Sequence, residues 1–198
     1  MREVQAGFTS ATSTPARAAA RRIHPALAAR RASSMFARTA RVPMTWGELP
    51  DDAADLVATL DGVRYVNDSK ATNPHAADAA LKGLNSVVWI AGGQLKGAEV
   101  DGLVAKHAAH IKAAVVLGAD RQEIAQALAE HAPHAPVDVI ESNDPAAAMN
   151  AAVDAALQHA EAGDTVLLAP AAASLDMYTG MAQRGDFFAA AARELTRD

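Results

Sequence analysis

Cysteine is absent from this chain, so no disulfide framework and no thiolate metal site is available to it. That absence suits a reducing cytoplasm. Aromatic side chains amount to only 4% of the 198 residues, whereas 51% are hydrophobic, so any core must be built largely from alanine and aliphatic residues. No apolar run approaches the roughly 18 residues that cross a bilayer; the longest, 166–175, is interrupted by Pro170. Two nucleotide signatures are missing as well. A G-x-x-x-x-G-K-[ST] P-loop occurs nowhere, and neither does the G-x-G-x-x-G turn of a nicotinamide or flavin domain.

Acidic residues are missing from one end of the chain only. Residues 1–45 hold eight arginines, no lysine and a single acid, Glu3, for a net +7, while the remaining 153 residues carry −12. Such a split marks a boundary. The basic segment is rich in Ala, Arg, Ser and Thr, has no sustained period, and is interrupted by Pro15, Pro25 and Pro43. It has the composition of an organellar transit peptide or of a basic arm for nucleic acid or anionic lipid. Aromatic interleaving is limited to Phe8 and Phe36, which counts against nucleic acid.

From Asp51 onward the pattern is orderly. Residues 51–60 read as a short helix or a linker. Residues 63–66 read as a half-buried strand, and 86–91, SVVWIA, as a strand buried on both faces. Further strands are expected over 113–117, 137–140 and 165–169. Helices are expected from Pro74 to Gly83, over 100–110, 121–131 and 145–161, and from Gly185 or Asp186 to 196. Asn73 before Pro74, and Asp144 before Pro145, are N-cap signals. Strands alternating with helices predict an α/β fold: a Rossmann-like open, mostly parallel sheet with helices on both faces. The chain divides into an arm over 1–50 and a domain over 51–198.

The first strand-to-helix turn, Asn67-Asp68-Ser69-Lys70-Ala71-Thr72, concentrates chemistry. Ligands of open α/β sheets collect at the carboxyl ends of strands, where unpaired helix amides favour an anion. Here a carboxylate, an ammonium and a hydroxyl fall within five residues: Asp68, Lys70 and Thr72. The bland alternative is a solvated turn ahead of a capped helix. Histidines at 107 and 110, and at 131 and 134, are spaced like metal ligands. Pro133 breaks the second pair's helix and no carboxylate cluster completes a zinc set, so no metal site is expected.

Three motifs change the weighting. Residues 67–81, NDSKATNPHAADAAL, resemble the signature that opens the C-terminal domain of the Mur ligases, and most nearly its D-glutamate-adding branch. GGQLKG at 92–97, and LLAPAAASLDM at 167–177 leading to QRGDFF at 183–188, come after it in the family's order. The resemblance covers about 145 positions, from about residue 54 to the end. It implies a ligase of peptidoglycan synthesis that makes an amide through an acyl phosphate, with ATP and Mg2+ as cofactors and D-glutamate and UDP-N-acetylmuramoyl-L-alanine as substrates. By residue-for-residue carry-over, Lys96 is catalytic and touches D-glutamate near the transferred phosphate. Thr72 and Ser174 bond its carboxylates, and Leu175 and Met181 add backbone contacts. Met181 matches least, because 178–182 departs from the family pattern. Asp68 and Lys70 align with nucleotide-contacting positions.

The residues also admit plainer roles. Lys96 could be a solvated loop lysine and Ser174 a turn cap, while Asp176, Arg184 and Asp186 read as structural pairs at the start of the last helix. The family holds its P-loop and magnesium ligands in a central domain that nothing over 1–50 resembles. The arm is therefore read as foreign to the family, the product of a truncated or mis-started frame, and as disordered or an isolated helix. The chain is expected to be a cytoplasmic monomer that binds no nucleic acid or membrane, holds no nucleotide tightly and is inactive alone. The rival reading is a non-catalytic α/β module whose basic arm contacts a partner. Deleting residues 1–45 should move the thermal midpoint by less than about 5 °C, or roughly 1 kcal/mol at this size. A larger fall in a thermal melt would show that the arm packs on the domain.

Overall fold

Asp61 and Gly62 reverse the chain with φ of 49° and 79°, the left-handed pair whose twist matches two antiparallel strands. They join β1, Asp55–Leu60, to β2, Val63–Asn67, with Leu60 opposite Val63. This computed structural model describes residues 54–196; the expectations for the arm over 1–50 lie outside them. The hairpin corrects the reading of 51–60 as helix or linker. Pairing with β2 and packing of Val57 and Leu60 against the core override the helical preference of an Ala- and Leu-containing run. The Asp-Gly dipeptide between two apolar runs was the legible signal.

Downstream, the expected elements form in order. They are α1, Pro74–Leu81; β3, Val87–Gly92; α2, Asp101–His107, tightening into a 3-10 turn at Ala108–His110; β4, Ile111–Leu117; α3, Arg121–His131; β5, Val137–Val139; α4, Pro145–His159; β6, Thr165–Leu168; and α5, Met181–Glu194. The caps read from the sequence are made. Asn73 Oδ1 accepts from the Ala76 amide at 3.0 Å and Asp144 Oδ1 from Ala147 at 2.8 Å. The sheet order is β1-β2-β6-β3-β4-β5, parallel throughout except for β1.

Strands β3 and β6 are buried along their whole length, as continuous apolar runs require. Helices α1, α2 and α3 cover one face, through Ala77, Leu81, Leu103, Val104, Ile124 and Leu128. Helices α4 and α5 cover the other, through Met149, Ala152, Val153, Ala156, Phe188 and Ala192. Alanine in these helices lets them lie close to the sheet, so the few large rings, Trp89, Tyr65 and Phe188, together with aliphatic side chains such as Ile90, Leu128 and Met149, fill the remaining core. Among the described residues no helix is long and apolar enough to cross a membrane.

Helix α5 starts at Met181, four residues before the expected Gly185. Gln183 Oε1 reaches back to the Thr179 amide at 2.8 Å and fixes the entry. Gly185 is thus inside the helix. A Cβ there would lie 2.8 Å from Asn67 Nδ2, so the glycine serves close packing against the end of β2 rather than helix initiation.

Arg184, on the same helix, is 2% exposed. The structure gives it a different role from the ion pairs expected with Asp176 and Asp186. Its Nε donates to Ser69 Oγ at 2.9 Å and its Nη2 to the Ser69 carbonyl at 3.1 Å. Its Nη1 donates to the carbonyls of Gly92 and Ala172, at 3.2 and 3.1 Å. One guanidinium thereby joins the ends of β2, β3 and β6. Burial pushes it down to about 10, which leaves it charged at neutral pH. Neighbouring Tyr178 is pushed up to about 12 by burial, with the positive charge of Arg184 opposing.

At the opposite face, Asp78 of α1 takes Lys106 Nζ at 2.7 Å and His107 Nε2 at 2.6 Å from α2. The hydrogen bonds from Lys106 and then His107 hold its carboxyl below the usual range. A carboxyl depressed by folding adds stability above its unfolded value near 4, and that contribution is lost as pH falls through the lower folded value. Thermal midpoints taken from pH 5 to pH 3 should therefore fall more for the native chain than for Asp78→Asn. Equal slopes would show that the pair holds nothing together. Arg184→Lys should cost about 3 kcal/mol in urea unfolding, since a single ammonium cannot span three carbonyls and a hydroxyl. A loss below about 1 kcal/mol would mean that the strand ends hold one another without it.

Candidate functional site

Parallel strands bring their carboxyl ends to one edge of the sheet. There β6 lies between β2 and β3. From β2 and β3 the chain runs to α1 and α2 on one face, whereas from β6 it runs to α5 on the other. Connections that leave neighbouring strands in opposite directions open a crevice at the strand ends, the usual ligand position in such sheets. The turns that carry the expected site residues meet at this edge.

These turns are joined backbone to backbone. The Asp68 amide donates to the Leu168 carbonyl at 2.8 Å, and the Ala171 amide to the Ala71 carbonyl at 2.9 Å. Gln94 and Ala173 exchange two hydrogen bonds, at 2.8 and 2.9 Å, and Gly92 donates to Pro170 at 2.9 Å. The approach is so close that only glycine fits. A Cβ at Gly92 would lie 1.8 Å from the Leu117 carbonyl oxygen, and one at Gly93 would lie 2.1 Å from that of Ala173.

Within this framework Thr72 is half-buried, its amide donating to the Lys70 carbonyl at 2.8 Å. Lys96 is exposed and holds φ at 55°, ahead of Gly97 at 80°. Ser174 is buried, and its carbonyl caps a turn by accepting from Met177 and Tyr178 at 3.3 and 2.8 Å. Its side chain stands one residue from the Gln94–Ala173 pair, and Lys96 stands two residues from it. Leu175 is 63% exposed, a side chain directed away from the core. Thr72, Lys96 and Ser174 are thus gathered on adjoining turns.

Met181 and Lys70 fall elsewhere on the edge. They line one open cleft of about 200 Å³ with Asp55, Asn67 and Asp186. The carbonyl of Met181 accepts from Ser69 Oγ at 2.8 Å, and as the first helical residue its amide has no intrahelical acceptor. Asp68 is 4% exposed. Burial raises its pKa, Lys70 and the Ala71 amide pull it back, and Asp55 adds to the rise. A covered carboxyl is a poor ligand for Mg2+, which wants accessible hard oxygens. Together with the missing P-loop, this turn fits at most a contact to a nucleotide phosphate through the exposed Lys70, and it builds no ATP–magnesium site.

Among the described residues one group of three metal-ligating side chains comes together, Asp101, Glu130 and His131, and it contains neither of the closely spaced histidine pairs as a unit. His131 and Asp101 already meet at 3.2 Å as an exposed pair linking α2 to α3. Two residues at the edge escaped the sequence reading. Ser69 connects Arg184 to Met181. Asp120 occupies the N-cap position of α3, yet it makes no side-chain cap bond. Its carboxylate accepts instead from the Leu95 amide at 2.7 Å.

Comparison with known proteins agrees with this architecture. The sequence profile described as Mur ligase, glutamate ligase domain matches residues 54–172. Among curated proteins, the UDP-N-acetylmuramoylalanine–D-glutamate ligase of Corynebacterium efficiens is 60% identical over 144 residues, covering 73% of this chain and 30% of its own length. That of Thermobifida fusca is 56% identical over 140 residues, covering 70% and 30%. That of Mycobacterium avium is 49% identical over 169 residues, covering 73% and 35%. The chain spans about a third of the length of the curated relatives it matches. A doubly wound sheet whose strand-end turns carry the motifs at 67–81, 92–97 and 167–177, and a profile match across most of the described residues, assign this chain to the Mur ligase family through its glutamate ligase domain.

Proposed function

We propose that this domain binds and orients D-glutamate for an ATP-dependent ligase that joins it to UDP-N-acetylmuramoyl-L-alanine in peptidoglycan synthesis. The observation that carries this reading is the meeting of the turns bearing Thr72, Lys96 and Ser174. Each of these residues stems from a position one or two residues from a hydrogen bond that crosses between turns. The relatives 49–60% identical to the chain are named for this reaction. In this reading the protein is a cytoplasmic monomer.

Amide formation from an amine requires that the amine face the acyl carbon and that its own charged groups be held elsewhere. D-glutamate carries two carboxylates, and the edge offers complementary groups. Lys96 supplies a positive charge, Thr72 and Ser174 supply hydroxyl donors, and Leu175 supplies a backbone amide, while Met181 offers its amide from the neighbouring cleft. In this reading Lys96 also stabilises, as a cation, the negative charge that develops on the reacting carbonyl oxygen. Bound ATP would supply the driving force by activating the acyl carboxylate. The residues described here do not build its site, so that step belongs to other residues of the ligase. Lys70, beside Asp68, contributes at most a contact to its phosphates.

In an open site each contact is weak. A hydrogen bond adds about 0.5–1.5 kcal/mol and an exposed ion pair about 0–1 kcal/mol, against the entropy of fixing a small ligand. Binding to the full chain should therefore be millimolar or weaker and visible as amide shifts in an NMR titration. The shifts should cluster at Thr72, Lys96 and Ser174, with L-glutamate giving smaller ones. Lys96→Ala should remove the pattern and leave the fold intact, because an exposed loop lysine supports no core. Equal shifts for the two enantiomers, or none at these turns, would overturn the reading.

A further inference from the structure

The turn after β4, Gly118-Ala119-Asp120, carries none of the residues assigned to substrate, yet it is bonded to the loops of two of them. Asp120 touches the Lys96 loop twice. Its amide donates to the Gly93 carbonyl at 2.9 Å, and its Oδ2 accepts from the Leu95 amide at 2.7 Å. The residue after Leu95 is Lys96, in the left-handed region at φ 55°. The other side of the turn takes the Ser174 loop, for the Ala119 amide donates to Asp176 Oδ2 at 2.8 Å. Between them Gly118, at φ 87°, has no room for a side chain. A Cβ there would lie 2.6 Å from the Gly93 nitrogen and 2.7 Å from Asp176 Oδ2. Contact on both sides leaves the turn little freedom to shift against either loop.

We propose that Asp120 is a positioning residue for Lys96: its carboxylate, fixed in the turn after β4, holds the Leu95 amide and thereby the left-handed backbone that presents the Lys96 ammonium to an amino-acid carboxylate. The inference rests on the reading of Lys96 as a substrate contact, and it deepens that reading by naming what sets the lysine's place. A left-handed conformation is disfavoured for a residue with a Cβ and persists only where its surroundings impose it. The hydrogen bond that Asp120 Oδ2 accepts from the Leu95 amide is the constraint beside it. Asp120 acts through acceptor geometry. Its charge alone would attract the lysine ammonium toward the turn rather than outward.

Geometry and charge are separated by two substitutions in the full chain. Asp120→Asn keeps an acceptor oxygen at the same distance and removes the charge; Asp120→Glu keeps the charge and moves it one methylene out. Three readouts apply: hydrogen exchange of the Leu95 amide, the backbone coupling constant that reports φ at Lys96, and the D-glutamate-induced shift at Lys96 relative to Thr72. Asp120→Asn should stay within about tenfold of the native exchange rate, with Lys96 still left-handed and the shift ratio kept. Asp120→Glu should speed exchange by more than about tenfold, the factor that corresponds to losing one net hydrogen bond. It should also release φ at Lys96 and reduce the Lys96 shift while sparing that at Thr72. Glu123→Gln, which removes a nearby exposed charge from α3, should change none of the three.

The opposite pattern, with Asn behaving as a loss and Glu as native, would show that charge is what matters and would overturn the proposal. So would native exchange and native φ in both variants. A general loss of stability would lower the thermal midpoint without changing the ratio of the Lys96 and Thr72 shifts. If the native chain shows no preference for D-glutamate, the substrate reading fails. The exchange and coupling measurements, which need no ligand, then still decide whether Asp120 sets the Lys96 backbone.

Discussion

A guanidinium buried where three strands end is the constraint on which the candidate site depends. Strands of a twisted sheet diverge past their last ladder bonds, and the carbonyls beyond them lose their regular partners. Arg184 answers that need at Ser69, Gly92 and Ala172 together, and Ser69 Oγ extends the set to Met181. A planar fork with five donors can serve several oxygens at once, and its weaker hydration makes burial less costly than for an ammonium. All its hydrogen-bond partners are neutral, so its charge rests on carbonyl dipoles, and Asp176 acts on it only through its field. The helix that carries Arg184 enters through Met181 and leaves room at Gly185 for Asn67, so α5 and the end of β2 are packed as one unit.

From that knot outward the turns are fixed by short backbone bonds. Gln94 with Ala173, Ala71 with Ala171, and Asp68 with Leu168 leave little freedom in the chain between them. Glycines at 92, 93 and 118 permit approach distances that any Cβ would prevent. Such an edge offers groups for an anionic ligand that are already in place, so less conformational entropy is lost on binding. The same rigidity separates two regions of the edge: Thr72, Lys96 and Ser174 on adjoining turns, and Lys70 with Met181 around a second cleft.

Much of this is legible in the residues. The cap at Asn73, the cap at Asp144 and the extent of α3 come from local chemistry and periodicity, and they form as expected. The departures share one cause. Residues 55–60 have a composition that favours helix, but their partner strand lies across a two-residue turn and pairing decides the outcome. Gly185 looks like a helix start because glycine is a local break, and only the proximity of Asn67 explains its place inside α5. Acids near Arg184 in sequence suggest ion pairs for it, whereas its partner Ser69 is 115 residues away.

The sequence by itself determined the alternation of strands and helices, hence the parallel sheet, and it determined which strand-end turns carry charged and hydroxyl side chains. These depend on period, capping and turn chemistry, which act within a few residues. The tertiary structure alone decided what those turns rest on. Hydrogen bonds between strand ends depend on sheet order, and β6, the last strand in the chain, inserts between β2 and β3. That insertion places Ala173 against Gln94, Ala171 against Ala71 and Arg184 among them. Asp120 shows the difference in one residue: it stands at the N-cap position of α3, and the loop after neighbouring β3 brings the Leu95 amide to donate to its carboxylate instead.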